Sequence, residues 1–133
     1  MNFNNFTIKS QEAVQQAVNL AQSLGQQAIE PEHLLAGILK VGENVTNFLF
    51  QKLGMNSQQI TTVLDKQLAS FPKVSGGEPY LSREANEVLQ KATDVSKELG
   101  DEYVSLEAMI LALLNVKCTA SNILKDAGMT EKE

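Results

Sequence analysis

Leu24-Gly25-Gln26-Gln27-Ala28-Ile29-Glu30-Pro31-Glu32-His33-Leu34-Leu35 lies over Leu99-Gly100-Asp101-Glu102-Tyr103-Val104-Ser105-Leu106-Glu107-Ala108-Met109-Ile110 at an offset of 75 residues. The match extends outward in both directions. Phe6-Thr7 falls on Leu81-Ser82, Ala17 on Ala92, and Ile38-Leu39 on Leu113-Leu114. One deletion then makes the offset 74, and Leu49 meets Ile123, Phe50 meets Leu124, and Gly54-Met55 meets Gly128-Met129. A self-match of this extent marks an internal repeat. The chain reads as two copies of one helical unit, each too short to fold comfortably alone.

Within the first copy the apolar residues Val14, Ala17, Val18, Ala21 and Leu24 follow a 3.6-residue period. Thr7 is placed to cap this first helix, and Gly25 to end it. A second helix starts at Pro31, the favoured first helical position, with Glu30 and Glu32 at the positive end of its dipole. It runs to Gly42. A third helix is expected over roughly 45–53, stopping at Gly54. A fourth opens at Asn56, with Gln59 three residues on in a capping-box spelling, and ends before Phe71-Pro72. Pro72-Lys73-Val74-Ser75-Gly76-Gly77-Glu78-Pro79 holds two prolines and two glycines and forbids a helix. The expected organisation is a first repeat over 1–71, a linker over 72–80 and a second repeat over 81–133. Helices five to seven repeat one to three, with Ser82, Ser105 and Thr119 as expected caps. Thr130-Glu131-Lys132-Glu133 spells another capping box, the expected start of a truncated eighth helix. The chain therefore reads as a fragment of something longer. The expected fold is all-α.

With 133 residues and 43% apolar content, the chain has the composition of one globular domain. No apolar run approaches the roughly 18 residues of a membrane span. The N-terminus lacks the basic start and apolar centre of a signal peptide. The single cysteine, Cys118, has no partner for an internal disulfide, and a reducing compartment is expected. The net charge is −5, and all of it sits in the second half: residues 1–75 hold 5 basic and 5 acidic groups, residues 76–133 hold 6 and 11. Without a Lys/Arg cluster, nucleic-acid binding is disfavoured.

Catalytic chemistry finds little support. His33 and Cys118 lie on different repeats, and nothing brings them together as a dyad. His33, in the first turn of the second helix, is expected to be a surface or half-buried histidine. Cys118 is expected to be a small, partly buried filler before the cap of the seventh helix. One histidine without paired cysteines makes no zinc site. Gly37-Ile38-Leu39-Lys40-Val41-Gly42-Glu43-Asn44 has the glycine spacing of a phosphate-binding loop but lacks the following Lys-Ser/Thr, and it falls in a helical pattern. The abundant carboxylates read as solvated helix faces.

Phe3-Asn4-Asn5-Phe6-Thr7-Ile8-Lys9-Ser10-Gln11-Glu12-Ala13 resembles the opening of the Clp N-terminal domain family, and Glu30-Pro31-Glu32-His33-Leu34-Leu35 resembles its E-H-L-L element. The linker through Tyr80-Leu81-Ser82 is most similar to the ClpB branch. The resemblance covers nearly the whole chain. It implies a pseudo-twofold bundle of eight helices that serves as the mobile substrate-receiving domain of a homohexameric AAA+ unfoldase. ATP and magnesium would belong to modules beyond residue 133, and this part would need no cofactor or metal. In the ClpB branch the implied partners are unfolded or aggregated proteins and the DnaK chaperone system, in the cytoplasm. In the ClpA and ClpC branches the same domain docks adaptors for a protease, and in some ClpC domains paired glutamates grip phosphorylated arginine.

The ClpB positions linked to substrate map onto Thr7, Asp101 and Glu107, all retained. The phosphoarginine pair maps onto Glu32 and Glu107. The second copy departs from the ClpC pattern, reading Glu107-Ala108-Met109-Ile110 and carrying Asp101 where ClpC tends to have histidine, so the ClpB reading is favoured. Two helix N-termini, at Thr7 and Ser105, are expected to face each other across the pseudo-dyad and to hold an extended chain. Tyr80, Tyr103 and Leu106, with Phe6 and Leu81, are the apolar candidates for its side chains. Each has a purely structural alternative. Thr7 is a cap in any reading, Asp101 can accept from loop amides, Glu107 suits a first turn, and Phe6 and Leu81 suit the repeat core.

Overall fold

The computed structural model describes residues 3–74 and 77–129. The elements run α1 (Ile8–Ser23), β1 (Ala28–Ile29), α2 (Pro31–Val41), α3 (Glu43–Leu53), α4 (Ser57–Ala69), β2 (Tyr80–Leu81), α5 (Arg83–Glu98), α6 (Leu106–Asn115) and α7 (Thr119–Asp126). Seven helices stand among the described residues, and the fold is all-α. The spelling at 130–133 lies outside them.

Caps and stops sit where the repeat puts them. The hydroxyls of Thr7, Ser82 and Ser105 each accept from the backbone N–H three residues on. Asn56 Oδ1 accepts from the N–H groups of Gln58 and Gln59. Gly25 and Gly100 end α1 and α5 at φ 71° and 77°. A following N–H closes each end: Gln26 onto the Ala21 carbonyl at 2.8 Å, Asp101 onto that of Ser96 at 2.9 Å. This is the glycine-terminated helix end repeated in both copies.

Each repeat is an α-hairpin, α1 on α2 and α5 on α6, with the core between and around them. Ala13, Ala17 and Ala21 line the buried face of α1, and Ala85, Val88, Leu89 and Ala92 that of α5. Leu34, Leu35, Ile38, Met109 and Leu113 fill the centre with no more than 1% exposure. α4 lies on α2 and α7, so the two repeats share one core.

Three features depart from the sequence reading. First, the lead-ins form short parallel ladders. β1 pairs with β2 through Ala28↔Tyr80 and Ile29↔Leu81, and Phe6 bridges Val104, also parallel. Shifting Phe6↔Val104 by 75 in opposite senses gives Leu81↔Ile29. Each repeat's first lead-in therefore pairs with the other repeat's second, which ties the halves together crosswise. Second, α3 begins at Glu43, earlier than expected, because Gly42 serves as its cap and Thr46 Oγ1 donates to the Gly42 carbonyl. Third, Cys118 and not Thr119 is the cap of α7, and it makes no side-chain cap bond.

Candidate functional site

The Phe6–Val104 bridge builds the site. Thr7 N–H donates to the Val104 carbonyl (3.0 Å), and Val104 N–H donates to that of Asn5 (2.8 Å). Both chains then turn directly into helices, α1 after Thr7 and α6 after Ser105. Because the bridge is parallel, the two N-termini start side by side. Thr7 Oγ1 accepts from Ser10 N–H and donates to Ser10 Oγ at 2.8 Å, so its hydroxyl is committed to the cap.

The surface beside the bridge is apolar and acidic. Tyr103, next to Val104, is 50% exposed, and Ile8, first residue of α1, is 76% exposed. Leu99, Asp101 and Glu102 are exposed on the loop that leads to the bridge. Ser96 Oγ donates to the carbonyls of Asp101 and Tyr103, which fixes that loop to α5. Ile8 and Leu99 escaped the sequence reading. Ile8 had a usable signal, since it sits off the apolar stripe of α1. Leu99 had none, because its repeat partner Leu24 is half-buried.

The other candidates separate. Tyr80 is exposed but belongs to the second ladder, opposite Ala28. Phe6 is core, stacked edge-on against Phe3 at 5.1 Å, and Leu81 packs half-buried against that core. Leu106 is 4% exposed and packs against Gly42, where an added Cβ would come within 2.6 Å of it. It lies inside the core, beneath any groove. Glu107 is exposed and borders a cleft of about 130 Å³ between α3 and α6, walled by Leu49, Leu53, Ile110, Leu111, Leu114 and Met129.

Glu32, the repeat partner of Glu107, lives in the opposite environment. It is 4% exposed, and burial pushes its carboxyl up to about 7, with Glu30 and Glu84 adding to the rise against its own backbone hydrogen bond. The two glutamates therefore do not present a matched pair to a guanidinium.

His33 corrects the expectation of a surface or half-buried histidine, for it has no exposed area. Its Nδ1 accepts from Glu30 N–H at 2.9 Å, and its Nε2 meets Gln26 Oε1 at 2.7 Å. Gln26 Nε2 in turn donates to the Leu68 carbonyl at the end of α4. The backbone donor fixes the neutral tautomer with hydrogen on Nε2. Burial lowers its pKa to about 4, in agreement. The histidine is thus a structural peg joining α2, the 26–30 lead-in and α4. Among the described residues no His/Cys/Asp/Glu group is arranged to hold a metal. The two glycines of the phosphate-loop spacing do structural work: Gly37 sits inside α2 against Ala13, and Gly42 against Leu106. No single helix among these residues is long and apolar enough to cross a membrane.

Comparison with known proteins agrees with this architecture. The family model described as the Clp repeat (R) N-terminal domain matches residues 5–127. The chain belongs to that family. Across its full length the Clp N-terminal domain seen here is 78% identical to chaperone protein ClpB of Bacteroides thetaiotaomicron. It is 57% identical over 132 residues to ClpB of Porphyromonas gingivalis. The chain spans about 15% of the length of each of these relatives. Among solved structures, the Hsp104 N-terminal domain of Candida albicans superposes with a TM-score of 0.85 at 24% identity, covering 97% of this chain and 85% of that one. A complex of the ClpV N-domain with a VipB peptide gives 0.75 at 18% identity, over 95% and 81%. These two likenesses establish the shared Clp N-terminal fold.

Proposed function

We propose that this Clp N-terminal domain is the non-catalytic substrate-recognition module of a ClpB-type AAA+ disaggregase. In this reading it receives unfolded or aggregated polypeptide at the Phe6–Val104 bridge and passes it to an ATPase ring. The carrying observation is that the segments joined by the Phe6–Val104 bridge expose Ile8, Leu99 and Tyr103 together with Asp101, Glu102 and Glu107. Exposed apolar side chains beside acidic groups suit apolar, basic clients, because the carboxylates favour cations at the rim while the apolar groups gain from burial. Thr7 positions the start of α1, with its hydroxyl already spent on the cap. Tyr80 would extend the contact only for a client long enough to reach the second ladder.

Binding by one domain is weak in this reading, since a shallow rim must accept many sequences. A homohexamer would supply avidity through six tethered copies. ATP and magnesium would be held by modules outside these residues, and work with the DnaK system would belong to the whole protein in the cytoplasm. The ClpV N-domain has been captured with a peptide, which supports peptide binding as a use of this fold.

The test is an amide-resolved NMR titration with a permanently unfolded, apolar-rich protein. Shifts should cluster at Ile8, Leu99 and 101–107, and should weaken as salt is raised when the client is basic. A spectrum that stays still at high client concentration overturns direct capture.

A further inference from the structure

We infer that the loop over 99–103 holds the main chain of an extended, basic and apolar client through the Gly100 carbonyl, as the equivalent loop of the first repeat holds the domain's own linker. This grip presupposes the capture of polypeptide at the Phe6–Val104 bridge proposed above and adds the bond that performs it. Leu24-Gly25-Gln26-Gln27-Ala28 and Leu99-Gly100-Asp101-Glu102-Tyr103 are one loop built twice. Each glycine N–H donates back to the helix it ends, Gly25 to the Gln22 carbonyl at 3.1 Å and Gly100 to that of Lys97 at 3.0 Å. Each loop then enters a parallel ladder, through Ile29 with Leu81 and through Val104 with Phe6.

The two backbones match, but what lies on them differs. The linker runs over the first loop. Val74 N–H donates to the Gly25 carbonyl at 2.8 Å, and the Gln27 side-chain amide donates to the Glu78 carbonyl at 3.1 Å. Lys73 Cβ stands 4.0 Å from the place where Gly25 would carry a Cβ, and Phe71 and Val74 share a hollow of about 220 Å³ with Gln26 and Gln27. Among the described residues, nothing takes this place on the second loop. No group donates to the Gly100 carbonyl, and no atom lies within 4 Å of a Cβ built there. Leu99 is exposed where Leu24 is half-buried. The loop is held in shape by Ser96, whose hydroxyl bonds the carbonyls of Asp101 and Tyr103, so an arriving chain need not order it. A backbone N–H is a donor that every residue except proline brings, which suits a site that accepts many sequences. The side chains set the class of client. Gln27 donates to its occupant, whereas Glu102 at the same position only accepts, and Asp101 replaces Gln26. The two exposed carboxylates favour a cation, and the linker itself carries Lys73 directly before its donor Val74 and Phe71 two residues earlier.

The probe is a capped peptide spelling residues 69–74, Ala-Ser-Phe-Pro-Lys-Val, titrated into the isotope-labelled 133-residue chain at millimolar concentration. The carbonyl carbon of Gly100 should move downfield and the Asp101 amide should shift with it. Gly25 should stay still, because the tethered linker outcompetes free peptide there. A methyl on the valine nitrogen removes the donor and should weaken binding about fivefold, the worth of one net hydrogen bond. The same methyl on the phenylalanine nitrogen should leave binding unchanged. Replacing the lysine by glutamate should weaken it severalfold by setting a like charge against Glu102. A Gly100 carbonyl that ignores the peptide, or a valine methyl without effect, overturns the inference. So does a Gly100 carbonyl that moves with protein concentration alone, since a second copy would then fill the loop. The permanently unfolded protein of the earlier titration separates the two proposals. If it moves other amides while the Gly100 carbonyl stays still, capture stands and this grip falls; if it moves nothing, both fall.

Discussion

Gly37→Ala tests whether the α1–α2 contact is as close as the structure draws it. Two effects oppose each other. Alanine in a helix interior is favoured over glycine by about 1 kcal/mol, so on propensity alone the change stabilises. At this position, however, the new Cβ would run into the Ala13 carbonyl oxygen, and would stand 3.1 Å from the carbonyl carbon and 3.2 Å from Ala17 N. These are backbone atoms of a packed helix, and no side chain can swing aside. Relief requires α1 and α2 to part, which loosens Ala13 and Ala17 against Leu34 and Ile38 at the centre of the core. Overpacking of that kind costs ~1–3 kcal/mol and more when backbone must move, so we take ~3. Subtracting the propensity gain leaves a net loss of ~2 kcal/mol. For a domain of this size that is a fall of roughly 7 °C in melting temperature. The repeat partner of Gly37 is Ala112, buried between α5 and α6, and supplies the control. Ala112→Gly should cost at least the ~1 kcal/mol of propensity, plus a small cavity. Urea and thermal unfolding followed by circular dichroism read all three proteins. A Gly37→Ala variant as stable as the wild type, or more so, would refute the close approach.

Three further outcomes are expected. Thr7→Ala should lower stability by ~1 kcal/mol through loss of the α1 cap, while Thr7→Ser should restore it, both by urea unfolding. Asp101→Ala with Glu107→Ala should weaken a basic client severalfold in the NMR titration and leave the melting temperature within about 2 °C, because both side chains are exposed; a large drop in stability would mark them as structural instead. Glu32 holds its proton up to about pH 7 when folded, against 4.5 when unfolded, so the native state binds the extra proton in that window and stability falls as pH rises through it, by at most ~3 kcal/mol. His33, lowered from 6.5 to about 4, acts oppositely and adds stability as pH rises from 4 to 6.5. Glu32→Gln should therefore match the wild type near pH 4.5 and exceed it above pH 7, in paired unfolding curves; an identical difference at both pH values would sink the assignment.

The two glutamates of the repeat show where reading a sequence gives out. The caps at Thr7, Asn56, Ser82 and Ser105 and the glycine stops were legible because each rests on residues within one turn of chain. The crosswise ladders were not, because two-residue strands carry no period-two pattern and their partners lie some fifty residues or more away. The same holds for His33, whose burial is decided by Gln26 from the lead-in and by Leu68 and Phe71 from the end of α4. Glu32 and Glu107 stand at equivalent positions in the first turns of equivalent helices, so every local rule treats them alike. What separates them is the neighbour delivered by the next element. Glu32 is buried with Glu30 and Glu84 of α5 adding to the rise of its carboxyl, whereas the other copy has Lys9 at the position of Glu84 and leaves Glu107 at the surface. The repeat thus fixes a shared scaffold, and non-equivalent neighbours give each copy its own chemistry. Glu107 stays exposed beside an apolar cleft, while Glu32 is withdrawn from solvent in the first turn of α2.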